Sequence, residues 1–380
     1  MWLEFFKFDL RFQLKQPLLW VIALIFGALA FGAASSDAIT VGGAVGNVNR
    51  MAPTVIAQFL GVFSVLSMFV VTIFIAGAVL RDAEIGISDM LFATPMRKHD
   101  YLIGRFVAGL VACLVIFLFV ILGLLVGPYM PWVDTARVGA FTLQPFVWGL
   151  MVFVIPNLLF IGALLMLLAA TTRSMMMVYV GVIGFFVLWV VAGSFTRDIN
   201  NEWIAVLLDP FGLRAFGRMT RYFSTAESNA TLPALNSYLM VNRLLWSAIG
   251  LALFSMTLVL FKPQRAGTGR RWFGKAKMEI ASQAATPQLA KVSLPKVTQN
   301  SGSATAWIQF WDILKFDTKA VFKSVPFLVM LLFGLVNFIG SASQSGAMFG
   351  TTVYPVTTNM LSIMAGSFNF MLIIIVTFYA

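Results

Sequence analysis

Eight long apolar runs constrain this chain more than any other feature of its sequence. A helix that crosses the hydrocarbon core of a bilayer needs about 20 predominantly apolar residues, and eight runs reach that length. Of the whole chain, 60% is hydrophobic and only 11% is charged, whereas about 25% of a soluble domain is charged. The sequence therefore predicts an all-α polytopic membrane protein. The predicted spans are 17–35, 53–80, 103–127, 143–170, 175–195, 238–261, 325–342 and 355–380.

The distribution of basic residues predicts which way these spans face. Cytoplasmic connections carry an excess of Lys and Arg, and a cytoplasmic N-terminus places 19 of the 26 basic residues inside. The net charge of +11 then belongs to inner segments that face anionic lipid, rather than to a nucleic-acid surface. A cleaved signal peptide is not expected, because the opening segment also contains Glu4 and Asp9 and is long and amphipathic.

Residues 1–16 are predicted to form an amphipathic helix that lies in the plane of the lipid headgroups. Its charged residues are Glu4, Lys7, Asp9, Arg11 and Lys15, of which all but Asp9 fall on one face at helical spacing.

A similar segment returns before the seventh predicted span. Asp312, Lys315, Lys319 and Lys323 follow the four residues of the charged face at a constant offset of 308, and Phe8-Asp9 reappears as Phe316-Asp317. The alternative is that any basic amphipathic helix before a span has this pattern. The matching position of the Phe-Asp pair in both segments favours a duplication. A duplication predicts a six-span half over 17–261, a basic cytoplasmic linker over 262–306, and the start of a second half over 307–380. Because the chain ends inside an apolar run, we expect it to be part of a longer protein.

The inner connection after the second span reads RDAEIGISDMLFATPMRKHDYLIGR from Arg81 to Arg105. Its composition predicts a short helix that ends at Ala93-Thr94-Pro95. A charged loop that only obeys the orientation rule is the alternative. The candidate functional residues of this connection are Arg81, Asp82, Glu84, Gly86, Asp89, Leu91, Thr94, Pro95 and Arg97.

This connection resembles the R-(D/E)-x-E-x-G…L-x-A-T-P-x-(R/K) stretch of the permeases of type-2 ABC exporters. The resemblance implies that the connection forms a coupling helix that docks on a separate ATPase subunit with two nucleotide-binding domains. ATP and magnesium would then bind to that partner, and a second permease half or a second copy would complete the pathway. It also implies outward transport, by alternating access, across the inner membrane of a bacterium.

The outer loop before the sixth span lies where type-2 exporters have short extracellular or re-entrant helices. Arg214, Arg218 and Arg221 fall on one face of a short predicted helix. They are expected to contact outer-leaflet headgroups, or alternatively an anionic substrate.

The sequence lacks residue types that the common enzyme and nucleotide-binding motifs require. The segment from Gly269 to Ala276 matches a phosphate-binding loop except at its last position, where a Ser or Thr is needed for magnesium. His99 and Cys113 are the only histidine and cysteine, so a His/Cys metal site is not expected. The chain is therefore predicted to be a transporter subunit without its own cofactor or metal. The alternatives are a membrane-embedded transferase, which could use only the scattered Asp198, Glu202 and Asp209, and a non-catalytic assembly subunit.

Overall fold

A computed structural model describes residues 1–36, 47–85, 87–94, 96–195, 202–235, 237–261 and 302–323, together with scattered positions beyond. Within these residues the protein is almost wholly helical, and the strands are one antiparallel pair of two residues each, β1 Ala347–Met348 and β2 Thr351–Thr352. The α-helices are α1 Trp2–Lys15, α2 Pro17–Ser35, α3 Pro53–Val71, α4 Gly77–Glu84, α5 Ser88–Ala93, α6 Lys98–Val126, α7 Gln144–Gly149, α8 Ile155–Thr172, α9 Met175–Phe195, α10 Glu202–Leu208, α11 Leu213–Thr220, α12 Thr225–Ala230, α13 Ser237–Leu260 and α14 Ser303–Lys323.

Among the described residues, five helical stretches are long and apolar enough to cross a membrane, which agrees with the predicted all-α membrane protein. They are Pro17–Ser35, Pro53–Asp82, Lys98–Tyr129, Gln144–Thr172 and Tyr238–Leu260. The fifth predicted span coincides with α9, whose described apolar part, Met175–Trp189, is shorter than these five. The six-span layout therefore stays a prediction. The linker and most of the seventh and eighth predicted spans lie outside the described residues.

Prolines set where several of these helices begin. Pro17 and Pro53 occupy the first turn of α2 and α3, where a residue without an N–H leaves no helical hydrogen bond unmade. Two stretches are interrupted by one π-helical turn, Thr72–Ala76 between α3 and α4, and Leu150–Val154 between α7 and α8. The stretch Pro53–Asp82 has 30 residues and is about 45 Å long. It spans the bundle from what we call the distal end, at Pro53, to the proximal end, at Asp82.

Helices α2 and α6 pack along one another through small residues. A β-carbon at Gly123 would collide with the Gly27 carbonyl and stand 2.8 Å from the Phe31 amide nitrogen, and one at Gly127 would stand 2.8 Å from the β-carbon of Ala34. Such small residues allow helix backbones to approach closely within a bilayer, where van der Waals contact drives association. This contact fixes the first candidate span against the third.

We expect Gly123→Ala to lower the free energy of unfolding by about 1–3 kcal/mol, because the added methyl group must push α2 away from α6. A methyl group added at Gly32, also in α2, would have no atom within 4 Å, so Gly32→Ala is the matched control and should raise stability slightly, by up to about 1 kcal/mol, because alanine favours a helix over glycine. Denaturant titration in mixed micelles measures both variants. Equal effects would contradict the close α2–α6 contact.

The distal end is closed by the segment from α10 to α12. The Asn229 side chain accepts a hydrogen bond from the Asn49 amide at 2.8 Å and donates one to the Asn47 carbonyl at 3.1 Å. Thr54, at the start of α3, donates to the Ser228 carbonyl at 3.0 Å. Helix α13 packs along α8, where Gly250 lies against the backbone of Phe160. The distal segment is thereby joined to the body of the bundle.

Candidate functional site

Four charged residues meet at the proximal end, three of them buried and Arg81 partly buried, and we call them the proximal charge cluster: Asp9, Arg81, Asp82 and Arg105. Asp9 accepts a hydrogen bond from Arg81 at 2.5 Å and pairs with Arg105 at 3.2 Å. Asp82 accepts one from Arg105 at 2.6 Å and another from the Tyr101 hydroxyl at 3.1 Å. Two carboxylates and two guanidinium groups thus balance one another in formal charge.

The cluster joins three separate parts of the chain. Asp9 belongs to α1, Arg81 and Asp82 to the last turns of α4, and Arg105 to α6. Asp9 is 1% exposed and Arg105 is 4% exposed. Buried charges are strongly destabilising unless they are paired and hydrogen-bonded. The three helices are therefore held in one relative position, because moving one of them would leave a buried charge without its partner.

Close helix packing makes this burial possible. A β-carbon at Gly104 in α6 would stand 2.6 Å from the β-carbon of Phe5 and 2.7 Å from the Trp2 carbonyl. Glycine at this position lets α1 lie directly on α6, which brings Asp9 within reach of Arg105. The guanidinium groups also stack on aromatic rings, Arg81 over Phe12 at 4.2 Å and Arg105 over Tyr101 at 4.4 Å, a favourable cation–π arrangement.

Gln13 extends the contact to the π-helical turn. Its buried side chain donates a hydrogen bond to the Phe74 carbonyl at 3.1 Å, and Phe74 lies within Thr72–Ala76. A π-turn shifts the helical hydrogen bonds by one residue and is frequent at functional sites. Helix α1 therefore contacts the second candidate span both at its end and at its π-helical turn.

Of the nine predicted coupling residues, the structure describes the side chains of five, of which three contact the bundle and two are exposed. Arg81 and Asp82 point into the bundle as members of the proximal charge cluster, and Leu91 packs against the core. Thr94 and Arg97 are exposed. The side chains of Glu84 and Asp89, and the residues Gly86 and Pro95, lie outside the described part of the chain. The predicted short helix is present as α5, which ends at Ala93. Thr94, the next residue, has an extended backbone, the conformation that a residue before a proline prefers.

Helix α1, Trp2–Lys15, falls within the predicted helix of residues 1–16. Asp9 differs from the other charged residues of this helix in its burial. Glu4, Lys7, Arg11 and Lys15 are exposed, whereas Asp9 is buried on the opposite face. At 100° per residue, Asp9 and Gln13 lie about 180° from the charged face. This pair of polar residues among aromatic ones was the signal in the sequence for a buried contact, and reasoning from the charged face alone missed it.

A second buried group, the distal polar cluster, consists of Ser64, Asn157, Asp209, Asn242 and Arg243. Arg243 donates to the Asn157 side chain at 2.8 Å and to the Pro210 carbonyl at 3.1 Å. Asn157 in turn donates to the Ser64 hydroxyl at 2.7 Å. The cluster thus crosses from α13 through α8 to α3 and also holds the turn that precedes α11.

Asp209 serves this cluster as a structural acceptor. Its carboxylate accepts hydrogen bonds from the Trp189 indole at 2.8 Å and from the backbone amides of Phe211 and Arg214 at 3.1 and 2.8 Å. Its side chain is fully buried. Neither Asp209 nor Arg243 was predicted from the sequence to be buried, since Asp209 was one of the scattered acidic residues outside the spans and Arg243 was counted among the outer basic residues.

The three predicted outer arginines contact neighbouring protein groups. Arg214 and Arg218 lie in α11, and Arg221 follows its last residue. Arg214 donates to the Trp189 carbonyl at 3.4 Å, and the Arg218 guanidinium lies 4.5 Å from the centre of the Tyr238 ring. Arg221 lies over Tyr222 at 5.6 Å. Their predicted contacts with lipid or substrate stay predictions.

Comparison with known proteins adds no family assignment. No protein-family model matches the chain, and no curated protein is similar to it in sequence. The class that the fold defines is an all-α protein, with five candidate membrane-spanning helices in the part of the chain that the structure describes. Its candidate functional site is the proximal charge cluster, where the amphipathic helix α1 meets the connection between the second and third candidate spans.

Proposed function

We propose that the chain is the permease of an ATP-driven exporter of the type-2 ABC class, coupled to a separate ATPase. The observation that carries the proposal is the proximal charge cluster, which joins the start of the candidate coupling connection, at Arg81 and Asp82, to α1 and α6. A force applied to the connection would act directly on two further helices, because paired buried charges resist separation.

The position of the exposed part of the connection also supports this proposal. Thr94 and Arg97 are exposed at the proximal end, next to α5, and are available to a partner protein. In the proposed mechanism the ATPase binds this surface, and ATP-driven closure of its two domains moves α5 and α4. The cluster transmits that movement to α1 and to the third candidate span, and two permease halves or two copies alternate between inward and outward openings. Substrate moves outward, and the proximal end is cytoplasmic.

The proposal is tested by finding which end of the bundle binds the ATPase. The chain is co-expressed with an ATPase encoded beside it, in a Cys113→Ala background that removes the single cysteine. We expect Arg97→Cys to form a cross-link with the ATPase through a short bifunctional reagent. The control is Ala226→Cys, which is exposed on α12 at the distal end and should form none.

The same complex should hydrolyse ATP in a vanadate-sensitive manner and move substrate in vesicles only when the ATPase is present. A cross-link from position 226 instead of 97, or hydrolysis by the purified chain alone, would refute the proposal. A chain that never associates with an ATPase would favour the assembly subunit or the membrane-embedded transferase.

A further inference from the structure

A cavity of about 460 Å³ lies beside the proximal charge cluster, between α1, the end of α4 and the start of α5. Its volume falls within the range of about 300–1,000 Å³ that is usual for small-molecule sites. Apolar side chains form most of its wall, and they are Phe5, Phe8, Phe12, Ile85, Ile87 and Leu91. Neither the coupling role nor the packing of the helices requires this space.

The charged residues on the remaining wall do not call for a charged ligand. Glu4 is exposed and pairs with Lys7 at 3.4 Å. Arg81, Asp82 and Arg105 also border the cavity, but each is already paired within the proximal charge cluster. Their side chains are at most 19% exposed. A ligand that brought a further charge would have to compete with these ion pairs. An uncharged, flexible, apolar ligand fits the cavity best.

The mouth of the cavity opens beside an apolar surface. Phe8 is 63% exposed and Ile85 is 62% exposed, and Phe12, one turn further along the same face of α1, is 38% exposed. Amphipathic helices of this kind place their apolar side chains about 5–10 Å into the boundary between headgroups and acyl chains. A chain from the surrounding bilayer can therefore enter the cavity between Phe8 and Ile85 without crossing water.

We propose that this cavity binds an acyl chain of a membrane lipid, with the headgroup left at the mouth among the exposed charges of α1. Bound there, the acyl chain fills the space between the interfacial helix and the candidate coupling connection and contacts both. The occupancy of the cavity then affects how firmly these two elements are held together. This site is independent of the proposed transport function, since it depends only on the cavity and the adjoining bilayer.

Photolabelling of the full chain tests the proposal. The protein is reconstituted into vesicles of phosphatidylethanolamine and phosphatidylglycerol that contain a phospholipid with a diazirine near the end of one acyl chain. A parallel sample contains a free fatty acid with the same diazirine. We expect cross-links within residues 5–12 and 85–91 in addition to those on the lipid-exposed faces of the spans. Whichever probe produces them identifies a phospholipid or a free fatty acid as the source of the chain.

Filling the cavity provides the matched comparison. The double variant Ile85→Trp/Ile87→Trp places two larger side chains at exposed wall positions. If this lowers the affinity of the cavity for the acyl chain about tenfold, the cavity cross-links should fall about tenfold at low probe concentration. The control is Leu24→Trp, on the exposed face of α2, where Leu24 is 61% exposed, and it should leave them unchanged. Cross-links confined to the faces of the spans in the unmodified protein, or cavity cross-links equal in both variants, would overturn the proposal. No ATPase takes part, so failure here is separate from failure of the proposed function.

Discussion

Arg105→Met is expected to lower the free energy of unfolding by about 3–5 kcal/mol, the usual effect of removing one partner from a buried ion pair. Arg105 lies close to both carboxylates, Asp9 at 3.2 Å and Asp82 at 2.6 Å. Without it, Asp82 keeps only the Tyr101 hydroxyl and the more distant Arg81, whose nitrogen is 3.8 Å away. Methionine retains much of the length of the arginine side chain, so the loss of unfolding free energy is due to the missing charge rather than to missing volume.

Two further variants make this result specific. Arg97→Met removes an exposed arginine from the same connection and should change stability by less than about 0.5 kcal/mol. Adding Asp82→Asn to Arg105→Met should restore part of the loss, with a coupling energy of about 0.5–3 kcal/mol between the two sites, because the carboxylate that needed the cation is gone. Tryptophan fluorescence during denaturant titration in mixed micelles measures all of them. Equal effects of Arg105→Met and Arg97→Met would contradict a buried cluster.

The cluster variants also bear on the proposed coupling. The double variant Asp82→Asn/Arg105→Met should fold and still bind the ATPase, since the exposed positions 94 and 97 are unchanged. Transport should fall relative to ATP hydrolysis, because the connection no longer holds α6 through paired charges. A normal ratio of transport to hydrolysis would show that force reaches the spans by another route.

Gly212→Ala is expected to be the second most damaging of the proposed substitutions, lowering the free energy of unfolding by about 2–5 kcal/mol. Gly212 has a φ of +74°, a conformation that costs a residue with a β-carbon about 1–2 kcal/mol. The added methyl group would also stand 2.7 Å from Nε of Arg243, and overpacking of this kind costs about 1–3 kcal/mol more. The guanidinium group would be displaced from Asn157 and Pro210, which disrupts the distal polar cluster.

Gly217→Ala is the matched control five residues away. Gly217 lies inside α11, and a methyl group added there would have no atom within 4 Å. Alanine favours the helix over glycine by about 0.5–1 kcal/mol, so this variant should be slightly more stable than the unmodified protein. The same titration measures both variants. If Gly212→Ala were as harmless as Gly217→Ala, Arg243 could not lie against this turn.

Much of the framework was predictable because it depends on local sequence. Uninterrupted apolar length predicted the five helical stretches that the structure has, and prolines at 17 and 53 marked where two of them begin. The short helix before Thr94 was likewise predicted from its flanking residues. The boundary of the third span was less accurate. Helix α6 begins at Lys98 rather than at residue 103, because helix formation continues through polar residues that a hydropathy criterion excludes.

The functional clusters depend on pairs that lie far apart in the chain. Asp9 and Arg81 are 72 residues apart, and Gln13 and the Phe74 carbonyl are 61 apart. On the sequence alone Asp9 was one charge of an interfacial helix, and Arg81 and Asp82 were parts of a coupling motif. Arg243 was one of the outer basic residues, and Asp209 was a scattered acidic residue outside the spans. Each of these assignments follows from composition near the residue, which cannot tell which face of a helix another helix covers.

Hydropathy and helix signals, which act within one segment, thus determined by themselves that this chain forms apolar helices of membrane-spanning length and a charged amphipathic helix before them. Only the tertiary structure decided that α1 lies on α6 at Gly104, that its Asp9 meets Arg81 and Arg105, and that a cavity remains beside them. The physical reason is that a buried charge is tolerated only where packing brings its counterion to it.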